Sequence, residues 1–111
     1  MNITIKKTLD VTPSLETYIE EKLLPLAKFV KPFEKQGEIT LRLEVARTSA
    51  HHHKGEEVFM ASADMNLPGK VLRGEASASD IRKAIDEVRN ILHMEIEKYK
   101  TKHADAPREK K

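Results

Sequence analysis

The sequence predicts an α+β fold: a two-layer sandwich of β-α-β-β-β-α order, with a four-stranded mixed sheet and two helices on one face. Four segments alternate apolar and polar residues, which is typical of strands with one buried face. Two further segments repeat apolar residues at the spacing of an α-helix. The length of 111 residues fits one domain of common size. The β-α-β start favours a parallel first strand pair with a right-handed crossover, so that both helices cover the same face.

The first strand and the start of the first helix are predicted near the N-terminus. Ile3 and Ile5 alternate with polar residues between positions 2 and 8, which predicts a short strand. Thr12 is a favourable N-cap residue. Pro13 suits the first helical position because the N–H that proline lacks would be unpaired there. We therefore expect the helix to begin directly after Thr12.

The first helix contains a proline. Apolar residues continue at helical spacing to about Val30, but Pro25 cannot donate a backbone hydrogen bond and disfavours helical backbone at Leu24. We expect a kink or a restart at this point. Lys31–Pro32 should end the helix, and Gln36–Gly37 should form a turn.

The other three strands follow one another along the chain. The alternating segments are Glu38–Ala46, Phe59–Leu67 and Val71–Ala76. The polar residues 47–57 between the first two predict an extended hairpin loop, and Pro68–Gly69 has the composition of a tight turn. These three strands should form an antiparallel meander.

The last helix is long and strongly amphipathic. Ser77 and Asp80 predict a capping box at its start, with Ser77 as the N-cap residue. An apolar stripe follows, made of Ile81, Ala84, Ile85, Val88, Leu92, Ile96 and Tyr99. The pattern stops after Lys100. We therefore predict a domain over residues 1–102 and a basic, disordered tail over residues 103–111.

Composition excludes several classes of protein. The chain has no cysteine, so it can form no disulfide, no cysteine-ligated cluster and no thiol nucleophile. No apolar run approaches the ~18–20 residues that span a bilayer, and the N-terminus lacks the apolar segment of a signal peptide. We expect a cytoplasmic protein without a membrane partner.

The sequence indicates neither a catalytic site nor a metal site. His51, His52 and His53 are adjacent in an extended loop, so at most two of them would face one ion. No further ligand pattern completes a zinc site. The chain also lacks a nucleophile elbow, a P-loop and a dinucleotide-binding glycine motif. We expect no enzyme activity, no catalytic or metal-binding residues, no cofactor and no small-molecule substrate.

Positive charge is concentrated at the C-terminal end. Residues 98–111 contain six Lys or Arg and two acidic residues, whereas residues 1–97 contain 14 basic and 16 acidic residues. This asymmetry indicates either a polyanionic partner for that end or a solvated tail.

One edge of the last helix carries a row of basic side chains. At ~100° per residue, four positions fall on one stripe beside the apolar face: Arg82, Arg89, His93 and Lys100. The row could follow a phosphate backbone, or its stems could cover the edge of the core. Aromatic residues make up only 5% of the chain and lie mostly on apolar faces. Base stacking is therefore disfavoured, and recognition of folded RNA by shape and phosphate stays open.

Four segments, spread in register over roughly residues 2–102, match the pattern of one known family. They are Val11–Leu15 leading to Glu20–Leu23, the strand-turn-strand run Leu67–Glu75, the run Ser79–Asp86 with its Asp-x-x-x-Ala-Ile-Asp pattern, and Lys98–Lys102. Together they resemble the ribosome hibernation-promoting factor and ribosome-associated inhibitor family.

The resemblance implies a fold similar to a double-stranded-RNA-binding domain. It also implies binding to the small ribosomal subunit, in the decoding region that messenger and transfer RNA would otherwise occupy. Such binding would inactivate ribosomes under stress or in stationary phase by occupation. In the family, the RNA-facing basic residues come from both helices, and the matching positions here are Lys22, Lys28, Lys98, Lys100 and Lys102.

The chain departs from the family pattern at several positions. Pro25, Ile91 and Met94 stand where the family has basic residues, and Arg82 replaces an aromatic residue. We hypothesise that Arg82, Arg89 and His93 supply the missing positive charge from an adjacent face of the last helix. The chain also resembles a short form, without the added C-terminal domain that pairs two ribosomes in longer relatives, and we expect it to be a monomer when free.

A protein-binding function is the alternative. The family carries an older name as modulators of an alternative sigma factor, and the low net charge of residues 1–97 is compatible with a regulatory protein partner. Salt dependence separates the two functions, because binding to phosphates falls steeply with salt and a packed protein interface is less sensitive.

Overall fold

The computed structural model describes residues 2–7, 12–49 and 57–102. One sheet contains four strands in the order β1-β2-β3-β4. Their bounds are β1 Asn2–Lys7, β2 Thr40–Ser49, β3 Glu57–Leu67 and β4 Lys70–Ala78. β1 runs parallel to β2, and β2, β3 and β4 form an antiparallel meander. The predicted α+β fold with a four-stranded mixed sheet is therefore confirmed.

The helical segments connect β1 to β2 and follow β4. They are α1 Pro13–Leu23, a 3-10 turn Leu24–Leu26, α2 Ala27–Val30, a 3-10 helix Lys31–Gln36, and α3 Ile81–Lys100. No helix in these described segments is long and apolar enough to cross a membrane.

The first helical segment begins and restarts where the sequence predicts. The Thr12 side chain accepts a hydrogen bond from the Leu15 N–H at 3.1 Å, and Pro13 is the first helical residue. Pro25 lies in the 3-10 turn that separates α1 from α2, because it cannot donate the hydrogen bond that would continue α1. The expected end at Lys31–Pro32 is only partly right, since a 3-10 helix continues from there and buries Phe33.

The start of α3 differs from the prediction. Ser77 is not the N-cap residue, because β4 continues to Ala78, which pairs with Phe59 of β3. The cap is Asp80, whose carboxylate accepts a hydrogen bond from the Arg82 N–H at 3.0 Å. The predicted capping box is therefore wrong, although one of its two residues does cap the helix.

Three strands, β2, β3 and β4, extend beyond their alternating patterns at one end or at both. In contrast, β1 ends at Lys7, within the predicted positions 2–8, and β2 begins at Thr40 rather than at Glu38. β2 extends to Ser49 and β3 begins at Glu57, so the predicted loop over residues 47–57 is partly strand. Backbone pairing can continue past the last buried side chain, which is why alternation underestimates these ends. The three adjacent histidines, His51 to His53, lie outside the described residues, as does the predicted tail 103–111.

A single apolar core lies between the sheet and the helices. From β2, β3 and β4 it takes alternate residues, and from α1 and α3 it takes the residues of their apolar faces. The largest fully buried side chains include Ile19, Leu23, Leu41, Leu43, Met65, Ile85, Leu92 and Ile96. This packing fixes which edge of α3 faces α1.

The C-terminal end of α3 is attached to the β3–β4 turn. The Tyr99 hydroxyl donates a hydrogen bond to the Pro68 carbonyl at 2.9 Å, and the Tyr99 ring meets Phe33 edge-on at 4.9 Å. Gly69 has φ +76°, a backbone conformation that glycine adopts at low cost. These contacts hold the end of α3 in place beside the sheet.

Candidate nucleic-acid interface

A groove runs between α3 and the helical segment α1–α2. The basic stripe of α3 borders this groove. At its first turn, the Arg82 guanidinium lies 5.0 Å from the centre of the Tyr18 ring and donates a hydrogen bond to the Ser14 hydroxyl at 3.1 Å. At its far end, Lys100 Nζ lies 5.7 Å from the centre of the Phe29 ring. The stripe is therefore close enough to α1 and α2 for both sides to face one ligand.

The first half of the groove contains a connected polar cluster. The Tyr18 hydroxyl of α1 donates a hydrogen bond of 2.6 Å to the Asp86 carboxylate of α3. Lys22 Nζ lies 3.8 Å from the same Asp86 oxygen and 5.5 Å from the centre of the Tyr18 ring. Asp86 thus connects the two helices and holds Lys22 at the groove.

The hydrogen bond to Asp86 raises the pKa of Tyr18 to about 12, with burial and the negative charge of Asp86 as further causes. The pKa of Tyr99 is raised as well, by burial. The folded-state pKa of Tyr18 lies above its ordinary value, so folding favours the protonated phenol. This contribution to stability is complete below pH ~10 and is lost as the pH rises through about 12.

Asp86→Asn should lower the pKa of Tyr18 toward ~10, because the amide removes the charge that opposes phenolate formation. The measurement is an ultraviolet titration of the wild-type protein and this variant, each compared with Tyr18→Phe to separate the two tyrosines. We expect the transition of Tyr99 to be unchanged. A Tyr18 transition that does not move in Asp86→Asn would contradict the hydrogen bond between these two residues.

The second half of the groove is built around Phe29. Its ring packs against the His93 imidazole, with 4.7 Å between ring centres and 40° between planes. Lys28 Nζ lies 5.4 Å from the centre of the same ring. Glu97 is 3.7 Å from His93 and 4.0 Å from Lys100. Three basic side chains therefore surround one half-buried aromatic ring.

Arg89 lies between these two clusters. It lines a cleft with Glu21, Lys22, Pro25, Asp86 and Asn90. Its guanidinium donates a hydrogen bond of 3.2 Å to the side-chain oxygen of Asn90. Pro25 also lines this cleft, on the side of the helical segment α1–α2.

The last two predicted residues lie on another side of α3. Lys98 and Lys102 line a hollow beside β4, together with Lys70. Lys98 Nζ is 3.4 Å from the Glu95 carboxylate. The eight predicted RNA-binding residues thus form two groups: six line or flank the groove, namely Lys22, Lys28, Arg82, Arg89, His93 and Lys100, and Lys98 and Lys102 are separate. Their role in binding RNA stays a prediction.

The ion pairs of the groove leave its basic side chains available. The paired side chains are 35–52% exposed at Lys22, Asp86, His93, Glu97 and Lys100. Exposed pairs of this kind contribute only about 0–1 kcal/mol. A phosphate group offers three acceptor oxygens and more charge than a carboxylate, so it can replace these contacts. The groove can therefore bind a polyanion without unfolding any helix.

Sequence reasoning missed three residues of the groove. The sequence patterns do not single out Tyr18 and Phe29, yet both are half-buried and their rings lie near basic side chains. Asp86 falls on the polar side of α3, and helical spacing gives no sign of its contacts with Tyr18 and Lys22. A useful signal is the position of Tyr18 four residues before Lys22, which places ring and ammonium on one face. Among the residues that the structure describes, no cluster of ligands suits a metal ion.

The fold and this groove define a small α+β domain that presents basic side chains from two helical segments on one surface. The chain belongs to the family described as sigma 54 modulation protein / S30EA ribosomal protein, whose model matches residues 1–104.

Similar proteins agree with this assignment. The chain is 26% identical over 97 residues to a ribosome hibernation promotion factor of Deinococcus radiodurans, which covers 87% of this chain and 47% of that protein. The chain thus spans about half the length of this curated relative. The fold matches the N-terminal domain of Protein Y from Thermus thermophilus, with a TM-score of 0.68, 24% identity and coverage of 89% of this chain and 99% of that one. It also matches a ribosomal subunit interface protein from Coxiella burnetii, with a TM-score of 0.65, 22% identity and coverage of 91% and 99%.

Proposed function

We propose that this protein binds the small ribosomal subunit near the decoding region and keeps messenger and transfer RNA from occupying it. Ribosomes would thereby be held inactive under stress or in stationary phase. The observation that carries the proposal is the groove between α1–α2 and α3, where five basic side chains lie near two half-buried aromatic rings and Arg89 lies between the two clusters. Membership of the S30EA family supports the ribosome as the partner.

The groove fits a folded RNA better than a flexible single strand. Tyr18 and Phe29 are half-buried, and basic side chains lie near their rings, so little ring surface is left for stacked bases. Basic residues on a rigid helix pair can instead follow phosphates at fixed spacing. The binding mode proposed here is therefore recognition of RNA shape and phosphate positions.

The proposed mechanism is occupation of a site. It needs no bond cleavage, no cofactor and no small-molecule substrate, and it places the protein in the cytoplasm with the ribosomes. The basic side chains provide the attraction to ribosomal RNA, and the bulk of the domain excludes other ligands. Affinity for the vacant subunit then determines the fraction of ribosomes held inactive.

Co-sedimentation with isolated small and large ribosomal subunits tests the proposal. At low salt we expect one protein per small subunit and little binding to the large subunit. Messenger RNA with a cognate transfer RNA should compete with the protein for the small subunit. Binding to the large subunit alone, or binding that these ligands leave unchanged, would contradict the proposed location.

A second candidate function, the binding of a regulatory protein, is favoured by the other side of α3. Ile91 is half-buried and Met94 is 58% exposed, at positions where the family pattern has basic residues. A protein partner on this surface would be retained at salt concentrations that release an RNA-bound protein. The absence of co-sedimentation with either ribosomal subunit at low salt would favour this alternative.

A further inference from the structure

The strand β4 forms one edge of the sheet. It spans Lys70–Ala78, and in the described part of the chain it pairs with β3 alone. The two-residue turn Pro68–Gly69 closes on the pair Leu67 and Lys70, and the register to β3 contains no bulge. Hydrogen-bonded and non-bonded pairs alternate along an antiparallel ladder. The backbone N–H and C=O groups that point away from β3 therefore belong to Val71, Arg73, Glu75 and Ser77.

The side chains of these four residues are exposed on the open face of the sheet. Arg73 and Glu75 carry opposite charges and flank Gly74, which is the central residue of the nine in β4. An unpaired strand edge is a template for another strand. Within the described residues, the edge of β4 therefore has unpaired backbone N–H and C=O groups. Its charge order also suits an antiparallel second copy, because Arg73 and Glu75 would then face residues of opposite charge.

We propose that two copies of this chain associate through β4, with the strands antiparallel and a two-fold axis at Gly74. In this register Arg73 of each copy lies opposite Glu75 of the other copy. All nine residues of β4 pair, and the outward backbone groups of both strands meet as hydrogen-bonded pairs. The two four-stranded sheets become one continuous sheet.

Gly74 allows α3 to lie close to the proposed two-fold axis. Gly74 is buried, and a Cβ atom built on it would lie 3.2 Å from Ile91 Cγ2. Because Gly74 has no Cβ atom, Ile91 of α3 can pack directly on the β4 backbone at the position of the proposed axis. Ile91 lies above Gly74, and Met94 follows within one turn and is 58% exposed. We expect these apolar side chains to face the same residues of the second copy.

The charges on β4 favour the register with the axis at Gly74 over the registers with the axis at Arg73 or at Glu75. With the axis at Arg73, two arginines would lie directly opposite each other, and with the axis at Glu75, two glutamates would. Like charges directly opposite destabilise a strand pair, and either shift also shortens the ladder. The other edge strand, β1, has six residues and no acidic side chain, so it lacks a complementary pattern.

Sedimentation velocity of the purified chain tests the proposal, with charge reversals at the axis. The sequence alone predicts a free monomer, whereas the free edge of β4 leads us to expect that the wild-type protein dimerises as its concentration rises. Arg73→Glu and Glu75→Arg should each raise the dimer dissociation constant roughly tenfold or more, because both cross-strand pairs become repulsive. The double variant Arg73→Glu/Glu75→Arg should restore dimerisation, because the pairs are attractive again with reversed polarity.

Glu75→Arg controls for the loss of contacts within a single copy of the chain. Arg73 also forms an ion pair of 2.6 Å with Asp64, which Arg73→Glu breaks and Glu75→Arg leaves intact. Thermal unfolding monitors whether each variant is folded. A wild-type protein that stays monomeric at its solubility limit would overturn the proposal. A dimer that all three variants leave unchanged would also overturn it, since another surface would then form the contact.

Discussion

Leu92→Ala is expected to lower the free energy of unfolding by about 2–5 kcal/mol. Leu92 lies near the middle of α3, is 0% exposed and belongs to the core between α3 and the sheet. Truncation removes buried apolar atoms and leaves a cavity that the surrounding sheet can fill only in part. The measurement is equilibrium unfolding in urea, monitored by circular dichroism, at the same protein concentration for each variant.

Glu87→Ala is the matched control on the same helix. Glu87 is exposed, so its truncation removes little buried surface, and we expect a change within about 0.5 kcal/mol. The difference between the two variants tests which face of α3 packs on the sheet. Equal losses of stability for the two variants would contradict the orientation of α3.

Arg82→Glu combined with Arg89→Glu is expected to weaken binding to the small ribosomal subunit by roughly 10–100-fold at low salt. Each change removes one favourable charge from the groove and places a negative charge near RNA phosphates. Arg82 lies over the Tyr18 ring, and Arg89 lines the central cleft. The measurement is the dissociation constant from co-sedimentation at fixed ionic strength.

Lys6→Glu combined with Arg42→Glu is the matched control for charge. Both residues are exposed on the open face of the sheet, away from the helices, and the change in net charge is the same. We expect the affinity for the small subunit to be nearly unchanged. Equal weakening by both double variants would mean that net charge, and not the groove, determines binding.

The fold follows from the periodicity of the sequence because most buried positions are apolar and regularly spaced. Leu41, Leu43 and Val45 alternate in β2, and Ala84, Val88 and Leu92 recur in α3. The ends of elements are less predictable, since they depend on hydrogen bonds that carry no hydrophobic signal. Ser77 looks like a cap by its type, yet its backbone is paired in β4, and Asp80 takes that role.

The groove is only half predictable from the sequence. Helical spacing places Arg82, Arg89, His93 and Lys100 on one stripe of α3, but it does not show what lies opposite. The restart at Pro25 determines which residues of α2 reach this stripe, and so brings Phe29 against His93. The pairing of Lys22 with Asp86 depends on the distance between two helices that are 50 or more residues apart in sequence, which local patterns do not contain.

The dependence of small-subunit binding on salt is the most direct test of a phosphate-binding groove. The logarithm of the binding constant should fall steeply and linearly with the logarithm of the salt concentration for the wild-type protein. For Arg82→Glu/Arg89→Glu the slope should be less steep by about 1.5, because two phosphate contacts are lost. The control Lys6→Glu/Arg42→Glu should keep the wild-type slope. A wild-type slope near zero, or the same slope for all three proteins, would contradict the binding of RNA phosphates by this groove.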